Sequence, residues 1–209
     1  MLSLLRGEPS DHVRHIIIIN GTLILGNPLS SFYKIIMNPL KDIGLKDGTN
    51  SLKPLQIEQL GGILPDGDSI RVLEFGAGRS TTLIFNALKK KYKNITYVTY
   101  ETNAKYAPET EGVTVRMHTR KELTLSTISI PKDEKYDLVI VDGPDGEDRK
   151  YWYPLFVDNV DKGTIVHIDD AFHFPSFEHE FLKSFPHAEI LYEHGREVKR
   201  NNCWITAKV

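Results

Sequence analysis

Residues 70–81 read Ile70-Arg71-Val72-Leu73-Glu74-Phe75-Gly76-Ala77-Gly78-Arg79-Ser80-Thr81. The run ending at Phe75 is apolar and β-branched, as a buried strand is, and Ser80 or Thr81 can cap a helix expected to run over 80–91. Two glycines lie between them. Glycine at a strand-to-helix turn lets a ligand approach the backbone and the amino end of the helix, where free N–H groups gather. Outward from this turn, β-branched runs recur at 95–100, 113–117, 136–141 and 164–168, with helical stretches between them. That alternation is the signature of a parallel sheet covered by helices. Residues 189–193 and 203–209 have no helix between them and are expected to pair antiparallel.

The 209 residues suit one domain with an appendage, and the expected division is an N-terminal cap over 1–51 and an α/β domain over 52–209. With 40% hydrophobic and 26% charged residues the chain is neither disordered nor collagen-like. Its formal charge of -2 gives no general attraction for nucleic acid or anionic lipid. The single cysteine, Cys203, excludes an internal disulfide and a cysteine-rich zinc site. The opening residues lack a signal-peptide pattern, so a cytoplasmic location is expected. The apolar run at 16–25 is broken by Asn20-Gly21 and is far shorter than the roughly 20 residues of a membrane span. Asn-Gly between apolar runs predicts a type I′ hairpin, a ribbon that covers the core or pairs with a second copy in a homodimer.

Glu101 ends the second strand of this pattern about 20 residues beyond the glycine turn, where a carboxylate can take the hydroxyls of a ribose. Dinucleotides and S-adenosylmethionine share that layout. Thr81 stands where the dinucleotide fingerprint has its third glycine. Glu74, just before the turn, would repel a pyrophosphate but suits a ligand bearing an ammonium and a sulfonium. On Glu74-Phe75-Gly76-Ala77-Gly78, Glu101, Asp142 and the terminal antiparallel pair, the chain resembles the class I S-adenosylmethionine-dependent methyltransferases over roughly residues 52–209. The resemblance implies a Rossmann-like seven-stranded sheet in the order 3-2-1-4-5-7-6, its last strand antiparallel. It also implies that Glu74, Gly76, Gly78 and Ser80 hold the methionine end of the cofactor, Glu101 the ribose, and His118 with Thr119 the adenine side, Asp142 completing the pocket.

Asp142 follows the strand at 136–141 and Asp169-Asp170 end the next, so three carboxylates are expected to converge at neighbouring strand ends. Together they would repel one another unless a hard divalent cation, magnesium or calcium, joined them. The set is similar to the metal site of the catechol-type and macrolide-sugar O-methyltransferases. The alternative is a pocket acid at Asp142 and a helix cap at Asp169 or Asp170. His173 is a candidate base beside Asp142, whereas His167, inside a strand, reads as a core histidine. Tyr151, Trp152 and Tyr153 read as packing against the sheet or as the wall of an acceptor pocket. The expected activity is methyl transfer from S-adenosylmethionine to a small-molecule acceptor, at oxygen rather than nitrogen. The rival readings are a non-catalytic methyltransferase-like binding module and a nucleotide-cofactor oxidoreductase.

Overall fold

Every β-branched run of the sequence becomes a strand, and the strands sort the apolar residues into two layers. The computed structural model describes residues 16–19, 22–25, 52, 54–144, 146–196 and 203–209. The chain divides into two units, 1–38 and 39–209. In the first, β1 (Ile16–Ile19) and β2 (Thr22–Leu25) pair antiparallel with Ile19 opposite Thr22. That register fits the predicted two-residue turn. The turn itself, the cover or dimer role expected for this ribbon, and most of the loop at 195–202 lie outside the described residues.

The second unit holds β3 (Ser69–Phe75), β4 (Asn94–Glu101), β5 (Val113–Met117), β6 (Tyr136–Val141), β7 (Val160–Asp169), β8 (Glu189–His194) and β9 (Trp204–Lys208). They form one sheet in the order β5-β4-β3-β6-β7-β9-β8. Counted from β3, this is the expected 3-2-1-4-5-7-6. The first five strands run parallel, and β9 pairs antiparallel with both β7 and β8.

Alternation along a strand sends neighbouring side chains to opposite faces. On one face Ile70, Val72, Tyr97, Leu138, Ile140 and Ile165 pack under α1 (Pro54–Ile63) and α2 (Arg79–Leu88). On the other, Phe75, Tyr100, Val141 and Ile168 pack with Trp152, Tyr153 and Phe156, and with Phe181 of α5 (Pro175–Ser184). Two short helices, α3 (Arg120–Thr124) and α4 (Tyr153–Phe156), lie between these. Helix α2 stops at Leu88, short of the expected 91, because the Leu88 carbonyl accepts both Lys91 and Tyr92 N–H and the chain turns directly into β4. Strand β7 begins earlier than expected. The Thr164 hydroxyl donates to the Tyr136 carbonyl at 2.7 Å and draws residues 160–163 into the ladder beside a register shift in β6. None of the described helices is long and apolar enough to cross a membrane.

Candidate functional site

The same alternation that builds the core places acids at its end. Glu74, Asp142, His167 and Asp169 continue the rows of Val72, Ile140 and Ile165, so these polar groups meet beneath α1 and α2 at the carboxyl end of the sheet, where open α/β folds bind ligands.

Gly76 leaves β3 with φ near 95° and donates its N–H to the Tyr100 carbonyl at 2.9 Å. A Cβ on Gly76 would stand 2.5 Å from Gly143 Cα, and one on Gly143 would stand 2.6 Å from Gly76 Cα. The chain after β3 therefore crosses the chain after β6 at backbone contact, with Asp142 and Gly143 both donating to the Phe75 carbonyl at 2.8 Å. Gly76 serves this crossing. Gly78 is different: a Cβ there would meet nothing within 4 Å, so the turn is open on that side.

Glu74 is 0% exposed. The Gly78 N–H donates to Thr81 Oγ1, and the Thr81 hydroxyl donates to Glu74 Oε2, each at 2.8 Å. This short chain ties the acid to the glycine turn. Glu74 Oε1 has no formed hydrogen bond, although the Tyr97 and Thr99 hydroxyls lie beside the carboxyl. Burial dominates and pushes the Glu74 carboxyl up to about 7, against the pull of Thr81, Thr99 and Tyr97 and with a small push from Glu101. Ser80 is buried in the first turn of α2.

Glu101 closes β4. Its Oε2 accepts the Ala77 N–H at 2.8 Å and its Oε1 accepts the Thr102 and Asn103 N–H groups at 2.7 Å. The carboxylate thus bridges the glycine turn and the turn after β4. Beyond β5, the half-buried His118 stacks on the Tyr100 ring at 5.3 Å, and burial lowers its pKa. Thr119 caps α3 in a reciprocal box with Glu122.

At the β6 and β7 ends, burial first and then the neighbouring Asp169 carboxyl hold the Asp142 carboxyl well above the usual carboxylate range. Gln56 of α1 donates to Asp169 Oδ1 at 2.5 Å. Asp170, in a left-handed turn at φ 54°, lies 3.6 Å from the Arg149 guanidinium. Arg149, only 3% exposed, donates to the carbonyls of Asp169, Asp142 and Pro144 at 2.7, 2.8 and 3.4 Å. Among the described residues no three His, Cys, Asp or Glu side chains are grouped to hold a metal ion. The expected convergence of Asp142, Asp169 and Asp170 on a cation is thus not shown among the described residues. The buried Arg149 guanidinium opposes the repulsion that Asp169 and Glu74 exert on Asp142.

His167 is the core histidine expected, fully buried between Thr206 and Gln56, its pKa pulled down to about 4 by burial. His173 is exposed and stacks on Phe174 at 4.5 Å. Trp152 is core, stacked on Phe75 and donating to the Gly143 carbonyl at 2.9 Å. Tyr153 is also core, while Tyr151 is half-buried at its edge. Arg149 and Gln56 were invisible to motif reading. The one available signal was a glutamine between the apolar Leu55 and Ile57 at the start of a largely apolar helix.

Residues 73–171 match a family model described as a methyltransferase domain. No curated protein matches the chain in sequence. Among solved structures, the chain is similar to a precorrin-6y C5,15-methyltransferase from Geobacter metallireducens, with a TM-score of 0.51 and 14% identity over 78% of this chain and 92% of that one. It is likewise similar to an S-adenosylmethionine-dependent methyltransferase from Mesorhizobium loti, with a TM-score of 0.50 and 12% identity over 78% of this chain and 99% of that one. The family match and the sheet order agree: residues 73–171 resemble a methyltransferase domain, and they sit in a sheet of the order that the resemblance implied.

Proposed function

We propose that the chain transfers the methyl group of S-adenosylmethionine to a hydroxyl of a small-molecule acceptor. The observation that carries this reading is the glycine turn after β3, open at Gly78 and bridged to the end of β4 by the Glu101 carboxylate. The turn amides and the amino end of α2 suit the methionine carboxylate, and the Glu74 and Asp142 carboxyls suit the cationic groups of the same ligand. Gly76 and Ser80 shape this turn from within. A carboxylate accepts about four hydrogen bonds; Glu101 takes three close backbone amides and a long 3.5 Å contact from the Thr102 hydroxyl, a place that a ribose hydroxyl can take over. His118 and Tyr100 offer a stacked aromatic surface on the adenine side.

S-adenosylmethionine supplies a methyl carbon already activated on a sulfonium, so the chain has to align the acceptor and receive its proton. The Asp142 carboxyl, held above its usual range, takes that proton once ionised. This favours a hydroxyl over a nitrogen acceptor. Carboxyls at this mouth and a net charge of -2 disfavour a polyanionic acceptor such as nucleic acid. A magnesium or calcium ion at Asp142, Asp169 and Asp170 is a further reading of these acids, and the Arg149 guanidinium 3.6 Å from Asp170 is the feature that competes with it. His173, exposed after the same turn, is the second candidate base.

Calorimetry tests the cofactor assignment. S-adenosylmethionine and S-adenosylhomocysteine should bind and NAD should not. Glu101→Ala should cost about 2 kcal/mol, roughly 30-fold in affinity, the scale of hydrogen bonds to a charged group. Tight NAD binding, or full affinity in the variant, would overturn it. Turnover to S-adenosylhomocysteine with phenols, catechols and sugars, set against amines, tests the acceptor.

A further inference from the structure

Buried backbone groups need partners, and in most of a fold those partners are other backbone groups. The segment 142–144 after β6 is satisfied differently. The Asp142 and Gly143 N–H groups both donate to the Phe75 carbonyl at 2.8 Å, and Pro144 has no N–H to place. All three carbonyls are taken by side chains. Arg149 Nη2 donates to Asp142 at 2.8 Å, Trp152 Nε1 to Gly143 at 2.9 Å and Arg149 Nε to Pro144 at 3.4 Å. Arg149 Nη1 donates onward to the Asp169 carbonyl at 2.7 Å. One buried guanidinium therefore spans the ends of β6 and β7.

Both donors come from a 3₁₀-helix over Glu147–Trp152. Such a helix has three residues per turn, so side chains three apart leave on the same side, and 149 and 152 meet the turn together. The Trp152 ring stacks on Phe75 at 4.3 Å, and the Arg149 guanidinium lies over the Phe177 ring at 5.8 Å. Arginine suits the span because its nitrogens are fixed in one plane, whereas lysine offers a single nitrogen on a flexible stem. Glu101, by contrast, is held by backbone amides that Arg149 does not touch.

We infer that Arg149 is a positioning residue. It fixes the spacing of the β6 and β7 ends, and so the placement of the acceptor against the methyl donor, without setting the affinity for that donor. The part played in transfer rests on the proposed function; the fixed spacing does not. Reacting atoms have to meet at about 3–3.5 Å, and a displacement of about 1 Å costs on the order of 10²-fold in rate.

The first arm of the test is NMR of the wild-type guanidinium. Bonds to fixed carbonyls stop rotation about Cζ–Nη, so Arg149 should give separate, slowly exchanging Nη signals. Averaged signals overturn the inference even if no variant folds. The second arm compares Arg149→Lys, which keeps the charge, with Lys150→Ala, which removes only the neighbouring 3.1 Å ion pair to Glu147. In Arg149→Lys the Asp142 and Gly143 amides should exchange about tenfold faster or more, the scale of one lost charged hydrogen bond. Turnover to S-adenosylhomocysteine should fall by about 10²-fold, while calorimetric affinity for S-adenosylhomocysteine stays within about threefold of wild type. Lys150→Ala should change none of these. A lysine variant with wild-type exchange and turnover overturns the inference, because charge and not span would then suffice. Equal losses of rate and affinity also overturn it, as a general loosening of the pocket. Absence of S-adenosylhomocysteine binding in the wild type would sink the proposed function instead, and the Nη signals and amide exchange would still decide the spacing.

Discussion

Glu101 and Asp142 stand at the ends of the two strands that flank β3, and their surroundings are opposite. Glu101 is met by the N–H groups of Ala77, Thr102 and Asn103, a shell of donors that any chain turning at that point supplies. Asp142 is met by a second carboxyl, a third acid at Glu74 and an arginine that spends its donors on carbonyls. Backbone geometry solvates one acid as an anion. Long-range neighbours decide the charge of the other. An acid at a strand end is thus placed by the strand pattern, but its protonation depends on what reaches it from elsewhere.

The wall between the two ends is the crossing of Gly76 and Gly143, and the largest effect is expected there. Gly143→Ala places a Cβ 2.6 Å from Gly76 Cα, a contact with backbone that no side-chain rotation relieves. A loss of about 3 kcal/mol is expected, the upper range for overpacking, read as a lower chemical-denaturation midpoint. Tolerance of alanine would mean that the two ends are not rigidly coupled.

This crossing also marks how far the sequence could be read. The strands, their order through the family resemblance, the antiparallel terminal pair and the positions of Glu101 and Asp142 were legible, because each follows from local patterning or short spacing. Gly143 was visible only as part of an Asp-Gly-Pro turn, since its need for glycine comes from a residue 67 positions earlier. Arg149 and Gln56 act through contacts 20 and 113 residues away, and no local pattern encodes them. The expected three-acid cation site met the same limit: repulsion among acids was readable, but the buried arginine beside them was not.

Glu74 extends the comparison to a buried acid with one hydrogen-bonded oxygen. Its folded pKa, about 7, lies above its ordinary 4.5, so the folded state holds more protons than the unfolded state between those values. Stability from this group is therefore full below about pH 4.5 and is lost as pH rises through 7. Glu74→Gln mimics the neutral form and should remove that loss. Relative to wild type, the variant should gain roughly 3 kcal/mol between pH 4.5 and pH 8, an upper figure from the size of the shift. Urea titrations at both pH values read the difference. A constant gap would mean that Glu74 is ionised throughout and belongs with Glu101.

Removing charge at the two flanking acids should have opposite signs. Glu101→Gln gives up charge-assisted bonds to three amides and should destabilise by about 2 kcal/mol. Asp142→Asn relieves a carboxyl pair and should stabilise by about 1 kcal/mol at pH 8. Thermal melts at one pH compare them directly, and the same sign for both would break the contrast. EDTA added to wild type tests the cation expected at the three acids: a lowered melt supports it, and an unchanged melt makes them pocket polarity and helix caps.

The smallest expected effect is at His173. The side chain is exposed and stacks on Phe174, so His173→Ala should alter stability by no more than about 0.5 kcal/mol. Its bearing is on the proton path. If Asp142 receives the acceptor's proton, turnover rises with pH as that carboxyl ionises, and His173→Ala preserves the rise. Asp142→Asn then removes it and lowers the maximal rate by about 10²-fold or more, the scale of general-base catalysis. The decisive measurement is turnover against pH for wild type and both variants, with any acceptor the panel yields and with S-adenosylmethionine affinity measured alongside. A rise that flattens in His173→Ala at unchanged cofactor affinity would move the base to the exposed imidazole. The Asp142–Asp169 pair would then act on the cofactor's positive charge, and the contrast between the two strand ends would be one of electrostatics alone.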